Sequence, residues 1–165
     1  MRRLIALLPI LIIAVACDQR PSGIAVKTSH VAGAEVTTDV EFQTDQADNP
    51  ALVKAMADAV GTVASRLQSG EIKPSPDIRF AEIHFTATSA DQTHNSDLLT
   101  LRIPIDSLRS AHKFSDDTAN LERADTLTPG KGPDALKAAS SYCQGHSVAN
   151  PKFCRLVDLQ RAGEN

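Results

Sequence analysis

Aromatic side chains are scarce in this sequence, which contains no tryptophan, one tyrosine and five phenylalanines among its 165 residues. Unpaired bases and sugars are commonly held by stacking on exposed aromatic rings, so neither is favoured as a ligand. Positive charge is not concentrated either, because the 17 Lys and Arg residues are interspersed with 20 Asp and Glu residues. A nucleic-acid-binding protein needs a clustered basic surface. We therefore expect no nucleic acid partner.

The sequence also lacks the short motifs of common catalytic and nucleotide-binding sites. The nucleophile elbow Gly-x-Ser-x-Gly, the zinc-binding His-Glu-x-x-His pattern, the phosphate-binding P-loop and the dinucleotide-binding glycine pattern are all absent. These absences favour a protein without catalytic activity and without a cofactor. The alternative is an enzyme with an unfamiliar site around His84, His94 and nearby carboxylates.

One group of possible metal ligands lies between two predicted strands. Asp91, His94 and Asp97 fall within a polar stretch that also contains Ser, Thr and Asn. Asp and Asn are frequent in turns because their side chains bond to the neighbouring backbone. Turn chemistry therefore explains this group more simply than a bound cation does. Arg79, Glu82 and His84 would form a polar sheet face beneath the turn.

The first 17 residues form a distinct segment. A short cationic start, Met-Arg-Arg, is followed by an apolar run over 4–16 that ends in small residues. This run is shorter than the roughly 20 apolar residues that span a bilayer, and its flanks are typical of a cleaved secretory signal. The stretch 14–17, Ala-Val-Ala-Cys, resembles the lipobox of bacterial prolipoproteins.

This resemblance implies that the signal peptide 1–16 is removed and that Cys17 is lipidated on its thiol and acylated on its new amino terminus. Residues 17–23 would then be a lipidated tether, since their polar composition cannot form a core. Two or three acyl chains anchor a protein durably. Asp18 resembles the residue that retains lipoproteins in the inner membrane, which implies the periplasmic face of that membrane. The alternatives are the outer membrane and a soluble periplasmic protein.

If Cys17 carries lipid, Cys143 and Cys154 are the remaining pair of thiols in an oxidising compartment. We therefore predict a disulfide between them. Together with His146 they could instead bind zinc, but three ligands leave a structural site incomplete and oxidation would remove two of them. We predict no metal site.

The residue pattern predicts two β-hairpins separated by one long amphipathic helix. Period-two alternation covers 24–43 and, less regularly, 77–105. A change of parity in the second region indicates a bulge near residues 81–82 or a strand covered on both faces. The helix over 49–68 begins at an Asn-Pro pair, ends at Gly70 and contains Gly61, which would allow a strand to approach closely. Its apolar stripe consists of Leu52, Met56, Val60, Val63 and Leu67.

The C-terminal third is predicted to contain a long exposed loop followed by two short helices. Apolar residues nearly vanish over 115–132, where Gly, Pro, Asp and Thr accumulate. Helices should begin at Pro133 and at Asn150-Pro151 and be joined by the disulfide. The expected fold is therefore a single α+β domain over 24–162, with an antiparallel sheet of about four strands packed by the long helix.

The expected function is that of a non-enzymatic accessory or binding protein of the bacterial cell envelope. It would be anchored by lipid and would recognise another envelope protein through an exposed strand edge or the long loop. Besides the enzyme alternative above, an inhibitor or immunity-type lipoprotein remains open. That alternative requires a protruding rigid loop.

Overall fold

The structure, a computed structural model, describes residues 25–32, 36–89, 91–110, 117–132 and 134–163. Strands β1 to β5 span Ala25–Ala32, Val36–Gln43, Phe80–Thr88, Asn95–Pro104 and Thr126–Pro129. Helices α1 to α4 span Ala51–Gln68, Ile105–Arg109, Lys137–His146 and Pro151–Gly163, and a 3₁₀ helix covers Asp117–Arg123.

The five strands form one mixed sheet in the order β1-β2-β3-β4-β5. The two predicted hairpins, β1–β2 and β3–β4, are confirmed as antiparallel pairs. The prediction of a wholly antiparallel sheet is wrong where the hairpins join, because β2 and β3 run parallel, with Val36 opposite Ala81. The helix α1 lies between them in the chain, and a helical crossover of this kind returns the chain in the same direction.

The helix α1 packs on the inner face of the sheet, as its apolar stripe predicts. The Asn49 side chain accepts a hydrogen bond from the Ala51 backbone N–H at 2.9 Å, and Gly70 ends the helix with a φ of 75°. The Phe42 and Phe85 rings, on neighbouring strands, stack with centroids 5.9 Å apart. Ten residues of α1 are buried: Leu52, Val53, Ala55, Met56, Ala57, Ala59, Val60, Val63, Ala64 and Leu67.

The irregularity of the second hairpin lies in β4, not near residues 81–82 as predicted. The register shifts between Phe85 and Thr86, which pair with Leu99 and Asp97, so that Leu98 is the additional residue. Both Leu98 and Leu99 are buried. The strand β3 itself alternates regularly from Phe80 onwards, with its odd-numbered residues facing the core.

The predicted exposed loop over 115–132 is wrong for residues 117–132. They form the 3₁₀ helix and then β5, which completes the sheet beside β4. The few apolar residues here are spaced to face the core, and Leu121, Ala124 and Leu127 are each at most 1% exposed. The sequence analysis missed these elements because the segment contains few apolar residues. It buries only about one side chain in each turn of the 3₁₀ helix.

The C-terminal helical pair is present, and a disulfide joins Cys143 to Cys154 as predicted. The predicted start of the first helix at Pro133 is wrong, because residues 134–136 form a turn and α3 begins at Lys137. The helix α4 begins at Pro151, but the cap differs from that of α1. Glu122 of the 3₁₀ helix accepts hydrogen bonds from the backbone N–H groups of Lys152 and Phe153 at 3.0 and 2.9 Å. A carboxylate at this position is favoured by the helix dipole.

The buried Asn150 connects the helical pair to the 3₁₀ helix. Its side-chain oxygen accepts a hydrogen bond from the Tyr142 hydroxyl at 2.6 Å, and its amide nitrogen donates to the Thr118 carbonyl oxygen at 3.0 Å. A buried amide needs such partners to offset its desolvation. Asn150 therefore connects three elements rather than capping one helix.

Gly61 lies against the 3₁₀ helix, not against a strand as expected. A Cβ atom at this position would lie 2.9 Å from Nδ2 of Asn120, which donates a hydrogen bond to the Ala57 carbonyl oxygen at 3.3 Å. Asn120 is itself buried. The missing side chain at Gly61 therefore makes room for this bond.

We predict opposite effects of two glycine-to-alanine substitutions. Gly145→Ala, at an exposed helical position with nothing within 4 Å of the added carbon, should stabilise the protein by roughly 0.5–1 kcal/mol through chain entropy. Gly61→Ala should instead destabilise it, because loss of a buried hydrogen bond costs about 1–3 kcal/mol and exceeds the helical gain. Chemical denaturation measures both changes. Equal stabilisation by the two substitutions would contradict the close contact with Asn120.

Candidate functional site

The outer face of the sheet is polar and accessible to solvent. The helix α1 covers the opposite face, and Asp39, Glu82 and Arg102 are exposed. Cross-strand register aligns the outward residues in rows. The outward side chains of β2 to β5 include those of Thr37, Asp39, Glu41, Gln43, Phe80, Glu82, His84, Thr86, Asp97, Thr100, Arg102, Pro104, Thr126 and Thr128.

His84 lies in the middle of this outer face, as its parity in β3 predicts. Its Nδ1 atom is 3.2 Å from the hydroxyl oxygen of Thr100, and its Nε2 atom is 3.9 Å from a carboxylate oxygen of Glu82. Asp39 is its register partner on β2. His84 is therefore half-exposed on this face and is held there by polar neighbours.

His94 lies in the turn between β3 and β4, whose polar groups bond chiefly to one another. The Asp91 carboxylate accepts hydrogen bonds from the Ser89 hydroxyl at 2.5 Å and from the Thr93 backbone N–H at 3.1 Å. His94 Nδ1 lies 2.8 Å from the Thr93 hydroxyl oxygen. The turn chemistry expected here is present, and it orders an exposed loop.

The hydrogen bonds from Ser89 and Thr93 lower the pKa of Asp91 to about 2. A carboxyl with so low a pKa is ionised at neutral pH, so it is poorly matched to donating or accepting protons in that range. Asp97, the third residue of the predicted group, pairs with Thr86 in the sheet.

His146 lies beside the disulfide and stacks on an aromatic ring. Its ring centroid is 4.2 Å from that of Tyr142, and its Nδ1 atom is 2.9 Å from the Tyr142 carbonyl oxygen. Cys143 and Cys154 are bonded to each other. Within the part of the chain that the structure describes, no three His, Cys, Asp or Glu side chains are placed to hold a metal ion.

Sequence reasoning missed a depression of about 480 Å³ where β3 begins and β4 ends. We call it the Phe80 groove. It combines the polar end of the outer face with the connector that precedes β3. Its lining consists of Val36, Thr37, Asp77, Ile78, Arg79, Phe80, Glu82 and Arg102.

A second depression, of about 430 Å³, adjoins the Phe80 groove. The two share Ile78, Arg79 and Phe80, and the second extends to Pro104 and Asp125. Volumes of this size lie within the range of roughly 300–1,000 Å³ that is usual for ligand sites. Neither depression is lined by His84 or His94.

Two oppositely charged residues in the Phe80 groove turn away from each other. Glu82 and Arg102 are direct register partners on β3 and β4. The Arg102 guanidinium instead lies 3.9 Å above the centre of the Phe80 ring, and Glu82 turns towards His84. A charge over an aromatic face is a favourable contact. The groove therefore presents both charges without their being joined in an ion pair.

Cys17 and Asp18, the predicted lipid site and the predicted sorting residue, lie outside the described residues, as do the segments 1–16 and 17–23 to which they were assigned. Across the described ranges, no helix is long and apolar enough to cross a membrane.

Comparison with known proteins gives no match to a protein-family model, to a curated protein or to a solved structure. The site is therefore interpreted from this chain alone.

We predict that the Asp91 carboxyl titrates near pH 2 instead of near 3.8. Because the folded pKa is below the unfolded one, the stabilisation of the turn is present above about pH 4 and is lost as the pH falls towards 2. Carbon-detected NMR of the side-chain carboxyl measures the midpoint. Ser89→Ala should raise this pKa, whereas Ser110→Ala, beyond the opposite end of β4, should leave it unchanged. An unshifted midpoint in the Ser89 variant would contradict the assigned cause.

Proposed function

We propose that this protein is a lipid-anchored accessory protein of the bacterial cell envelope. Cys17 would carry the lipid, and the domain would face the periplasm. The domain would recognise another envelope protein and would not catalyse a reaction. The observation that carries this proposal is the N-terminal segment, whose cationic start, short apolar run and Ala-Val-Ala-Cys end resemble a lipoprotein signal.

The arrangement of the other cysteines supports the assignment of Cys17. Cys143 and Cys154 are bonded to each other, and the sequence contains three cysteines. Cys17 is therefore the cysteine left for thiol modification. A disulfide is also compatible with the oxidising compartment to which the signal would direct the chain. Asp18, next to the lipid site, favours retention in the inner membrane.

The surface chemistry supports binding over catalysis. His84 and His94, on which the enzyme alternative depends, lie on an open sheet face and in a solvent-exposed turn, respectively. Asp91, in the same turn as His94, has a lowered pKa, whereas a general acid at neutral pH needs a raised one. The Phe80 groove combines apolar and charged side chains, as protein-binding surfaces do.

A second candidate function, that of an inhibitor, draws support from the turn between β3 and β4. The Ser89 N–H donates to the His94 carbonyl oxygen at 2.9 Å, and the His94 N–H donates to the Ser89 hydroxyl at 3.0 Å. Residues 91–95 are exposed. An exposed turn whose described residues are hydrogen-bonded to one another suits insertion into an enzyme cleft, because little conformational entropy is lost on binding.

We predict that Cys17→Ser abolishes labelling of the protein by an alkyne-modified fatty acid in growing bacteria. The physical reason is that serine lacks the thiol to which the diacylglyceryl group would be attached. The wild-type label should be recovered with the inner membrane on fractionation. Cys143→Ser combined with Cys154→Ser is the matched control, since it removes the disulfide and should leave the label in place. Labelling that persists in the Cys17 variant would contradict the anchor.

We also predict a stoichiometric protein partner in the envelope. The full-length protein with a C-terminal affinity tag should be crosslinked in living cells and purified from detergent-solubilised membranes. The expected result is one envelope protein recovered in constant ratio, and Cys17→Ser should reduce its recovery because the effective concentration at the membrane falls. Recovery of the protein alone at every crosslinker concentration would contradict the accessory function. An enzyme as the captured partner, inhibited by the purified protein, would favour the inhibitor.

A further inference from the structure

The Phe80 groove is lined by charged side chains of both signs, only some of which have a partner among the described residues. Its lining includes two arginines, Arg79 and Arg102, and two carboxylates, Asp77 and Glu82. Among the described residues, the Arg79 guanidinium makes no hydrogen bond or ion pair, and Asp77 also makes none through its side chain. Cross-strand partners of opposite charge normally attract each other. Here Glu82 and Arg102 flank an opening instead.

This balance of charge restricts the ligand. A bound anion would be attracted by the two arginines but repelled by Asp77 and Glu82. A bound cation would be attracted by the two carboxylates but repelled by the arginines. A ligand with both a carboxylate and a cationic group can satisfy both pairs at once. The second depression is also lined by charges of both signs, from Arg79, Arg109, Asp106 and Asp125, although Arg109 and Asp106 form an ion pair at 3.7 Å.

The apolar part of the groove provides a surface for a hydrocarbon side chain. Phe80 and Ile78 are half-buried and line both depressions. Arg102 covers one face of the Phe80 ring, which holds the ring in place. Partly exposed apolar groups between charged ones are typical of surfaces that bind a peptide side chain at their centre.

We propose that the Phe80 groove binds an extended peptide segment of the partner protein that carries a basic and an acidic residue on either side of an apolar one. The acidic side chain would accept hydrogen bonds from Arg79 and Arg102. The basic side chain would donate to Glu82 and Asp77, and the apolar side chain would pack on Ile78 and Phe80. The two adjoining depressions suit an extended chain. This inference rests on the proposed binding function and names the surface that performs it.

The test uses the purified mature lipidated protein in detergent and a random linear dodecapeptide library displayed on phage. Enriched peptides are expected to contain Lys or Arg and Asp or Glu flanking an aliphatic or aromatic residue. A synthetic copy of the most enriched peptide is then titrated against variants. Arg79→Gln and Glu82→Gln should each weaken its binding about tenfold, because hydrogen bonds between charged groups are the stronger class.

The charges of the selected peptides show whether a groove side chain contacts the peptide directly or affects binding only through the fold. When the library is selected for binding to the Arg79→Gln variant, the bound peptides should no longer be enriched in acidic residues. When it is selected for binding to the Glu82→Gln variant, they should no longer be enriched in basic residues. Arg155→Gln is the matched control, because Arg155 is also exposed but lies on α4, away from the groove lining. Thermal unfolding midpoints of all three variants are measured alongside, and a variant that is not folded is replaced by Arg102→Gln or Asp77→Asn.

The proposal is overturned if the library yields no enriched peptide, if the enriched peptides show no charge bias, or if the groove variants bind them as Arg155→Gln does. Its failure is distinguishable from failure of the proposed function. A partner that is still captured by the groove variants would leave the accessory function standing and exclude this surface. A Cys17 variant that keeps its label would remove the anchor without affecting peptide binding.

Discussion

The packing of α1 against the inner face of the sheet is the interaction on which the rest of the fold depends. The helix connects β2 to β3 and thereby joins two hairpins that have no other covalent connection. A two-stranded hairpin is marginal by itself in water, whereas the combined sheet can bury Phe42, Phe85 and the apolar stripe of the helix together. The 3₁₀ helix then packs on α1 at Gly61. Sheet and C-terminal region are thus both organised by one helix.

Sequence periodicity predicted the elements better than their arrangement. The stripe on α1 has a clear spacing of three and four, and the strands β2 and β3 alternate, so local patterns sufficed for these elements. The parallel pairing of β2 with β3 could not be read from either strand, since two hairpins and a helix can also be assembled with antiparallel neighbours. The direction of β3 relative to β2 depends on the end of the sheet to which α1 brings the chain back. The fifth strand was missed because its four residues, Thr126–Pro129, contain one buried side chain, Leu127.

Some features of the candidate site could likewise be predicted from local sequence patterns, whereas others depend on contacts between residues that are distant in the chain. The placement of Glu82 and His84 on one polar face follows from parity, and the disulfide follows from cysteine count and the inferred compartment. The Phe80 groove requires register across two ladders, because Thr37, Glu82 and Arg102 meet only through cross-strand pairing. Arg79 was predicted on the polar sheet face with Glu82 and His84, but it precedes β3 and lies outside the alternation of that strand. A partial signal existed in the Asp-Ile-Arg-Phe stretch, where charged and apolar residues lie side by side in a connector.

The parallel ladder between β2 and β3 also determines how the chain reaches its native state. Each hairpin brings together residues that are close in sequence, and such hairpins form in roughly 1–10 μs. Pairing Val36 with Ala81 instead closes a loop of roughly 45 residues. The conformational entropy of this loop must be lost before the hydrogen bonds and contacts of the ladder stabilise the chain. Docking of α1 shortens that search by holding the two hairpins near each other. The slowest step of folding is therefore expected to be the meeting of two preformed halves, and the edges of β2 and β3 stay unpaired until it occurs.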